Sequence, residues 1–325
     1  MKGLLHRNAH IFIALIPVLI YNMSYCLFEI NGSSSLTIKT MIVEAIRGHG
    51  DSPFSTLAEY KSRIIWLSSS LLSFTAYLIA LTWSVFIIRR CCVRRINLIK
   101  LAALGLPVMM LTLLQIGSAD AESPMYNNIF DTTYQSLKVS VLITESLLHK
   151  IFIIISTINV LAAVIPVFIL IAICCTISLP IEAGAPKPEC FIKRMKYLNQ
   201  GIMIGSTVLL FGIIHMNAWM QWPTSMFDAE AEVNKAAINA FAAISQYWGI
   251  SFTLLLVCLY VSAAIYWQAQ TRAALIAMQT DIDIPAWLED NGFTVSWQKH
   301  ALQLAAMLTP FVAGSFSITG RELLL

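Results

Sequence analysis

The sequence predicts an all-α integral membrane protein with six transmembrane helices and both termini in the cytoplasm. The chain has 325 residues, of which 58% are hydrophobic and only 12% are charged, about half the charged fraction of a soluble domain. Its apolar residues fall into six runs long enough, or nearly so, to cross a bilayer core. Lys and Arg residues cluster in the short segments between these runs, as the positive-inside rule requires of cytoplasmic loops.

A basic turn between the second and third apolar runs orients the chain. It contains Arg89, Arg90, Arg94 and Arg95, and four arginines between two spans place this turn in the cytoplasm. The six predicted spans alternate in direction from there; they are 11–28, 64–88, 101–117, 151–179, 201–222 and 247–267. The basic N-terminus resembles a signal peptide, but no Ala-x-Ala site follows it, so we expect an uncleaved first span.

Three outer segments, periplasmic or extracytoplasmic, connect the spans in pairs: 29–63, 118–150 and 223–246. Each is expected to begin irregularly, the first with a flexible run at 31–35, and to return as a capped helix that continues into the next span. Pro53 starts the first of these helices, and Asp131 and Asp228 cap the other two. With roughly 37–49 residues, or about 55–75 Å, three long helices are expected to project beyond the outer face.

Residues 268–325 are predicted to form a cytoplasmic helical tail behind the polytopic transmembrane domain, 1–267. Its last helix, expected at 297–308 and ended by Pro310, is too short and too interrupted for a seventh span. We expect it to pack under the membrane or against a neighbour, with a re-entrant segment as the alternative. The acidic and aromatic stretch 281–297 is then a candidate docking site for a cytoplasmic partner.

Small residues mark two faces where helices can pack closely in lipid. Gly201 and Gly205 form a GxxxG element on the fifth span, and Ser69 and Ser73 give the second span a similar face. Two interpretations stay open, since such faces can pack the bundle of one chain or join subunits of an oligomer.

Uncharged polar residues inside the spans are candidates for bridging helices or lining a wet path; they are Asn22, Gln115, Asn159, His215 and Asn217. The six apolar cores contain no Asp, Glu, Lys or Arg, which argues against proton or sodium coupling. His215 is the one titratable candidate, and we expect it to be hydrogen-bonded to a neighbouring helix rather than to bind haem.

Metal binding and catalysis are weakly indicated, so no cofactor is expected. The adjacent cysteines Cys91-Cys92 and Cys174-Cys175 are poor chelators compared with spaced Cys-x-x-Cys pairs. Glu145 and His149, one helical turn apart, are typical of a local ion pair or hydrogen bond. The sequence contains no Gly-x-Ser-x-Gly, His-Glu-x-x-His or phosphate-binding glycine loop. Nothing in the charge pattern suggests nucleic-acid binding.

These features favour an oligomeric membrane subunit whose outer helices assemble, with copies of itself or with other subunits, around a conduit or scaffold. The size of the chain, the basic turn and the helical outer segments are similar in architecture to the polytopic inner-membrane subunits of type IV secretion systems. That resemblance implies a location in a bacterial inner membrane. The alternatives are a signal-gated sensor or pore-forming effector, and a membrane enzyme acting on a lipid substrate.

Overall fold

The structure, a computed structural model, describes residues 2–30, 32–48, 53–91, 99, 103, 105–107, 109–110, 123–177, 188–227, 231–278, 283–293 and 301–319. Over these residues the chain is all-helical, with 93% in helices and no strand. Five of the described helices are long and apolar enough to cross a membrane. Most of the third predicted span, together with Arg94, Arg95 and Gln115, lies outside the described residues.

The described helices of seven or more residues are, in chain order, α1 (Lys2–Glu29), α2 (Gly32–Arg47), α3 (Pro53–Cys91), α4 (Thr132–Val139), α5 (Glu145–Ile177), α6 (Pro188–Gln221), α7 (Glu232–Ala277), α8 (Ile284–Asp290) and α9 (Ala301–Thr319). A turn of helix, Pro124–Tyr126, and a π-helix, Asn127–Asp131, precede α4. A 3-10 turn, Trp222–Ser225, follows α6.

The bundle has two ends with different chemistry. One, called the tryptophan end, buries Trp66, Trp219, Trp222 and Trp248 in a single hydrophobic core. The other, called the arginine end, is mainly aliphatic and is closed by Arg194. Helices α3, α5 and α7 run from the tryptophan end to the arginine end, whereas α1 and α6 run in the opposite direction.

Arg194 stabilises the arginine end by capping a helix. Its side chain is buried, and Nη1 donates to the carbonyl oxygens of Cys175 and Thr176 at 3.3 and 3.0 Å. These carbonyls belong to the last turn of α5, where oxygens have no partner within the helix. A cation there also meets the negative end of the helix dipole, so Arg194 joins α5 to α6.

The expected flexible run at 31–35 is wrong, because α2 begins there at Gly32. The helix buries Ser35, Ile42 and Ile46 on one face, a spacing of seven and four residues that defines an amphipathic helix. Lys39 on the same helix forms an ion pair with Asp131 of the π-helix. Helix α2 therefore packs as part of a helical layer over the tryptophan end.

The second expected returning helix is also wrong, because the chain breaks between α4 and α5. Ser140 has an extended backbone with ψ of 131°, and its hydroxyl oxygen accepts from the Leu142 amide at 3.2 Å. Thr144 then accepts from the Leu147 amide at 3.3 Å, as an N-cap residue does. Serine and threonine compete here for backbone hydrogen bonds, so two helices form where one was expected.

The C-terminal residues pack against the bundle. Leu288 lies in α8 and Phe293 just beyond its end, and both are buried in the hydrophobic core of the arginine end. Helix α9 lies against α6 and α7, the helices that contain the fifth and sixth predicted spans. Residues of the predicted cytoplasmic tail thus pack against helices of the predicted transmembrane domain.

Candidate functional site: the seam between α3 and α6

Helices α3 and α6 meet along a seam of polar and aromatic side chains. Six described residues of α3 are at most 1% exposed, and five of them recur every seven residues; these five are Glu59, Trp66, Ser73, Ala80 and Ile87, and the sixth is Ser84. A seven-residue repeat keeps one face of a helix against a neighbour in a left-handed pair. The seam is defined here by Glu59, Arg63, Trp66, Ser69, Ser70 and Ser73 on α3, by His215 and Trp219 on α6, and by Trp222 directly after α6.

Glu59 is a buried carboxylate at the tryptophan end of the seam. Its Oε2 accepts from Arg63 Nη2 at 2.7 Å, and its Oε1 accepts from Trp222 Nε1 at 3.3 Å. The carboxylate is 1% exposed and the Arg63 side chain 26% exposed. A buried charge is costly unless it is paired and hydrogen-bonded, and here both carboxylate oxygens have a donor.

His215 joins the two helices in the middle of the seam. Its Nδ1 lies 3.2 Å from Ser69 Oγ and 3.5 Å from Ser70 Oγ. Both serine hydroxyls also donate to the Trp66 carbonyl, at 2.7 and 2.8 Å. Because those contacts use the serine protons, the consistent assignment is a neutral histidine that carries its proton on Nδ1 and donates it to Ser69.

The seam also contains nitrogen atoms that are buried without a hydrogen-bond partner. They are Arg63 Nε, Trp66 Nε1, Trp219 Nε1 and His215 Nε2. The first three are donors only, and an unsatisfied buried donor costs about 1–3 kcal/mol. The chemistry available at the seam is therefore hydrogen bonding to a small acceptor, such as a water molecule or a carbonyl oxygen.

Aromatic rings close the seam at the tryptophan end. The Trp66 ring centroid lies 5.2 Å from that of Trp222 and 5.5 Å from that of Trp219. Phe130 of the π-helix stacks on Trp219 at 6.2 Å, and Thr133 Oγ1 donates to the Trp219 carbonyl at 3.2 Å. The π-helix and α4 therefore cover the seam at the tryptophan end.

Tyr126, in the turn of helix before the π-helix, has a shifted pKa. Burial, followed by the negative charge of Asp131, raises the pKa of Tyr126 above its usual value. Tyr126 therefore remains a neutral hydrogen-bonding group in any physiological buffer.

The predicted packing residues all lie inside the bundle. A Cβ at Gly201 would lie 2.7 Å from Trp83 Cη2 and 2.8 Å from Ile173, whereas one at Gly205 would lie 3.6 Å from Leu256. Ser69 and Ser73 face α6, and Ser73 Oγ donates to the Phe211 carbonyl at 3.3 Å. All four residues thus contact neighbouring helices of the same chain.

The four predicted polar residues that the structure describes make separate contacts. Asn22 donates to the Val18 carbonyl of its own helix at 2.8 Å. Asn217 Oδ1 accepts from Gln221 at 3.0 Å and from Ser245 at 3.2 Å, and so links α6 to α7. Asn159 is half-buried on α5. Of the four candidates that the structure describes, only His215 lies in the seam.

The topology arginines and the titratable groups complete the list of candidates. Arg89 and Arg90 are exposed at the end of α3, and the guanidinium of Arg90 lies 5.8 Å from the Tyr197 ring centroid. Within the described ranges, no group of three or more His, Cys, Asp or Glu side chains could hold a metal ion.

Glu59 is a seam residue that the sequence did not identify. It precedes the second apolar run, so composition places it outside the membrane. The signal that would have identified it is its position seven residues before Trp66 and fourteen before Ser73.

Five long apolar helices and a helical layer over one end define the class of this protein: it is a multi-pass integral membrane protein. No protein-family model, no curated protein and no solved structure matches the chain.

Proposed function

We propose that the chain is a structural or conduit-forming subunit of an oligomeric membrane complex of the secretion or transport type. The observation that supports this proposal is the exposed face of α3, opposite the seam. A line of hydroxylated residues follows this face at seven-residue intervals through Ser68, Thr75 and Thr82, all exposed. Exposed large apolar side chains flank the line on both sides: Ile64, Ile65, Leu71, Leu72, Leu78, Ile79, Val85 and Phe86.

The opposite face of the same helix indicates what such a line can do. There, Ser69, Ser73, Ala76 and Ala80 form a comparable line of small residues, and α6 packs into it. In lipid, helices associate through small residues that allow close approach. The hydroxyl groups of Thr75 and Thr82 donate to the Leu71 and Leu78 carbonyls of their own helix. A partner helix therefore needs a surface of complementary shape and does not need to accept hydrogen bonds from these threonines. We propose that the partner is a second copy of this chain.

The proposed orientation has six crossings in residues 1–267, with 101–117 as the third. Arg89, Arg90 and Arg194 favour a cytoplasmic arginine end under the positive-inside rule, in a bacterial inner membrane. The tryptophan end then faces outward, where interfacial aromatics are common. Helix α7, with 46 residues, is about 69 Å long and would extend well beyond a hydrocarbon core of about 30 Å.

The mass of the detergent-extracted particle tests the proposal. We expect the wild-type chain to form a closed oligomer of defined number by native mass spectrometry or light scattering. Thr75→Trp fills the exposed line and should reduce the particle to smaller species. Thr207→Trp is the matched control, because Thr207 is an exposed threonine of α6 that donates to its own helix in the same way, to Met203 at 2.9 Å.

Two outcomes contradict the proposal. One is a wild-type monomer both in mild detergent and after crosslinking in native membranes, which would favour the sensor or enzyme alternatives. The other is an oligomer that Thr75→Trp leaves intact, which would exclude this face of α3 from the interface.

A further inference from the structure

We propose that α9 is a membrane-embedded helix that runs from the arginine end of the bundle towards the tryptophan end. The chain after α9 would then emerge on the membrane face opposite the N-terminus, instead of forming a cytoplasmic tail. This inference concerns one helix and does not depend on the proposed oligomer.

Backbone contacts with α7 establish the direction of α9. A Cβ at Gly249 of α7 would lie 2.5 Å from the carbonyl oxygen of Pro310, and a Cβ at Gly314 of α9 would lie 2.6 Å from that of Ser245. Moving four residues towards the C-terminus of α9, from Pro310 to Gly314, therefore corresponds to moving four residues towards the N-terminus of α7, from Gly249 to Ser245. The helices are antiparallel, and α7 starts at the tryptophan end, so α9 ends there.

The neighbours of α9 agree with that direction. In the first half of α9, Met307 belongs to the hydrophobic core of the arginine end. Near its end, Ala313 packs against the core of the tryptophan end. Ser245, beside Gly314, is linked through Asn217 to the last turns of α6. The last described turns of α9 therefore lie beside the turns of α6 at the tryptophan end.

The contacts around Pro310 are those that a helix needs in an apolar medium. Proline has no amide hydrogen, so Ala306, four residues earlier, loses its usual helical donor. In lipid such a carbonyl must find another partner, because no water reaches it. Ser206 of α6 donates to the Ala306 carbonyl, and Thr253 of α7 accepts from the Phe311 amide at 3.2 Å. Both neighbouring helices thus supply polar groups at the proline.

Length and composition also suit a crossing. Helix α9 has 19 residues, or about 28 Å, close to the thickness of a hydrocarbon core. Its sequence contains no Asp, Glu, Lys or Arg. On the side away from the bundle it presents Leu302, Leu308 and Val312, which are 63%, 47% and 42% exposed. These side chains would face lipid in the proposed arrangement and water in a cytoplasmic tail.

Epitope tags at the two ends of the full-length chain test the proposal. Antibody binding would be compared in sealed right-side-out and inverted membrane vesicles, before and after permeabilisation. We expect the N-terminal tag to be accessible in one preparation and the C-terminal tag in the other. If both tags are accessible in the same preparation, α9 does not carry the chain across and the proposal is overturned.

A pair of glycine variants tests whether the backbone contact holds α9 in place. Gly249→Leu should dislodge α9 and make the C-terminal tag accessible from the N-terminal side in a large share of molecules. Gly212→Leu should behave as the wild type, because a Cβ there meets nothing within 4 Å. An unchanged tag pattern in Gly249→Leu would count against the contact. If that variant fails to fold, the wild-type tag pattern alone decides the question.

Discussion

The two helix pairs α3/α6 and α7/α9 are joined in different ways. The α3/α6 seam is filled by side chains, including three tryptophans, a histidine and a paired carboxylate. The α7/α9 pair is joined at the backbone, with a glycine on each helix facing a carbonyl of the other. A side chain can change rotamer when its neighbour grows, whereas a backbone carbonyl moves only with its helix. The first contact should therefore tolerate substitution, and the second should not.

The largest effect is expected at the backbone contact. Gly314→Ala places a methyl group 2.6 Å from the Ser245 carbonyl oxygen, so the two helices must separate. We expect a loss of about 3 kcal/mol, the upper end of typical overpacking costs, in the free energy of unfolding measured in mixed micelles. Gly212→Ala should be neutral or slightly stabilising, because alanine favours helix. Equal stability of the two variants would remove the distinction between the helix pairs.

A smaller effect is expected in the GxxxG element, and its two glycines should differ. Gly201→Ala brings a methyl group to 2.7 Å from the edge of the Trp83 ring, and we expect a loss of about 1–2 kcal/mol. Gly205→Ala makes an ordinary contact at 3.6 Å and should cost almost nothing. The same unfolding measurement compares them.

Changing Trp83 in the Gly201→Ala background supplies the control for that comparison. Trp83→Phe removes the overlapping ring atom, so the double variant should regain part of the lost stability. Equal losses at Gly201 and Gly205 would mean that the motif acts as a unit, for example at a subunit interface, and not through the separate contacts described above.

The long helices could be predicted from the sequence, but the neighbours of each helix could not. Apolar runs indicate α3, α6 and α7, because only a helix satisfies its backbone in lipid. The same argument failed at Ser140, where hydroxyl groups end one helix and start another. It also ended the last helix at Pro310, because proline normally breaks helices, whereas α9 continues through Pro310 to Thr319. The compensating Ser206 lies a hundred residues away in sequence.

Only part of the seam could be predicted from the sequence, and its arrangement could not. Ser69, Ser73 and His215 stand out as small or polar residues in apolar runs. Their meeting depends on α3 and α6 being antiparallel neighbours at one register, which one sequence does not specify. Glu59 was missed because a charged residue outside an apolar run suggests a solvated loop, whereas the layer formed by α2, α4 and the π-helix covers that end of the bundle.

The smallest effect is expected at His215, in the interior of the tolerant seam. His215→Leu removes one hydrogen bond between helices, while Ser69 and Ser70 keep their bonds to the Trp66 carbonyl. A double-mutant cycle of His215→Leu with Ser69→Ala and Ser70→Ala should give a coupling energy of about 0.6 kcal/mol, typical of hydrogen bonds between membrane helices. Zero coupling would mean that the 3.2 Å contact contributes nothing to stability. A coupling of about 1.5–3 kcal/mol would indicate a charged histidine, because hydrogen bonds to charged groups contribute that much, and would contradict the neutral tautomer assigned above.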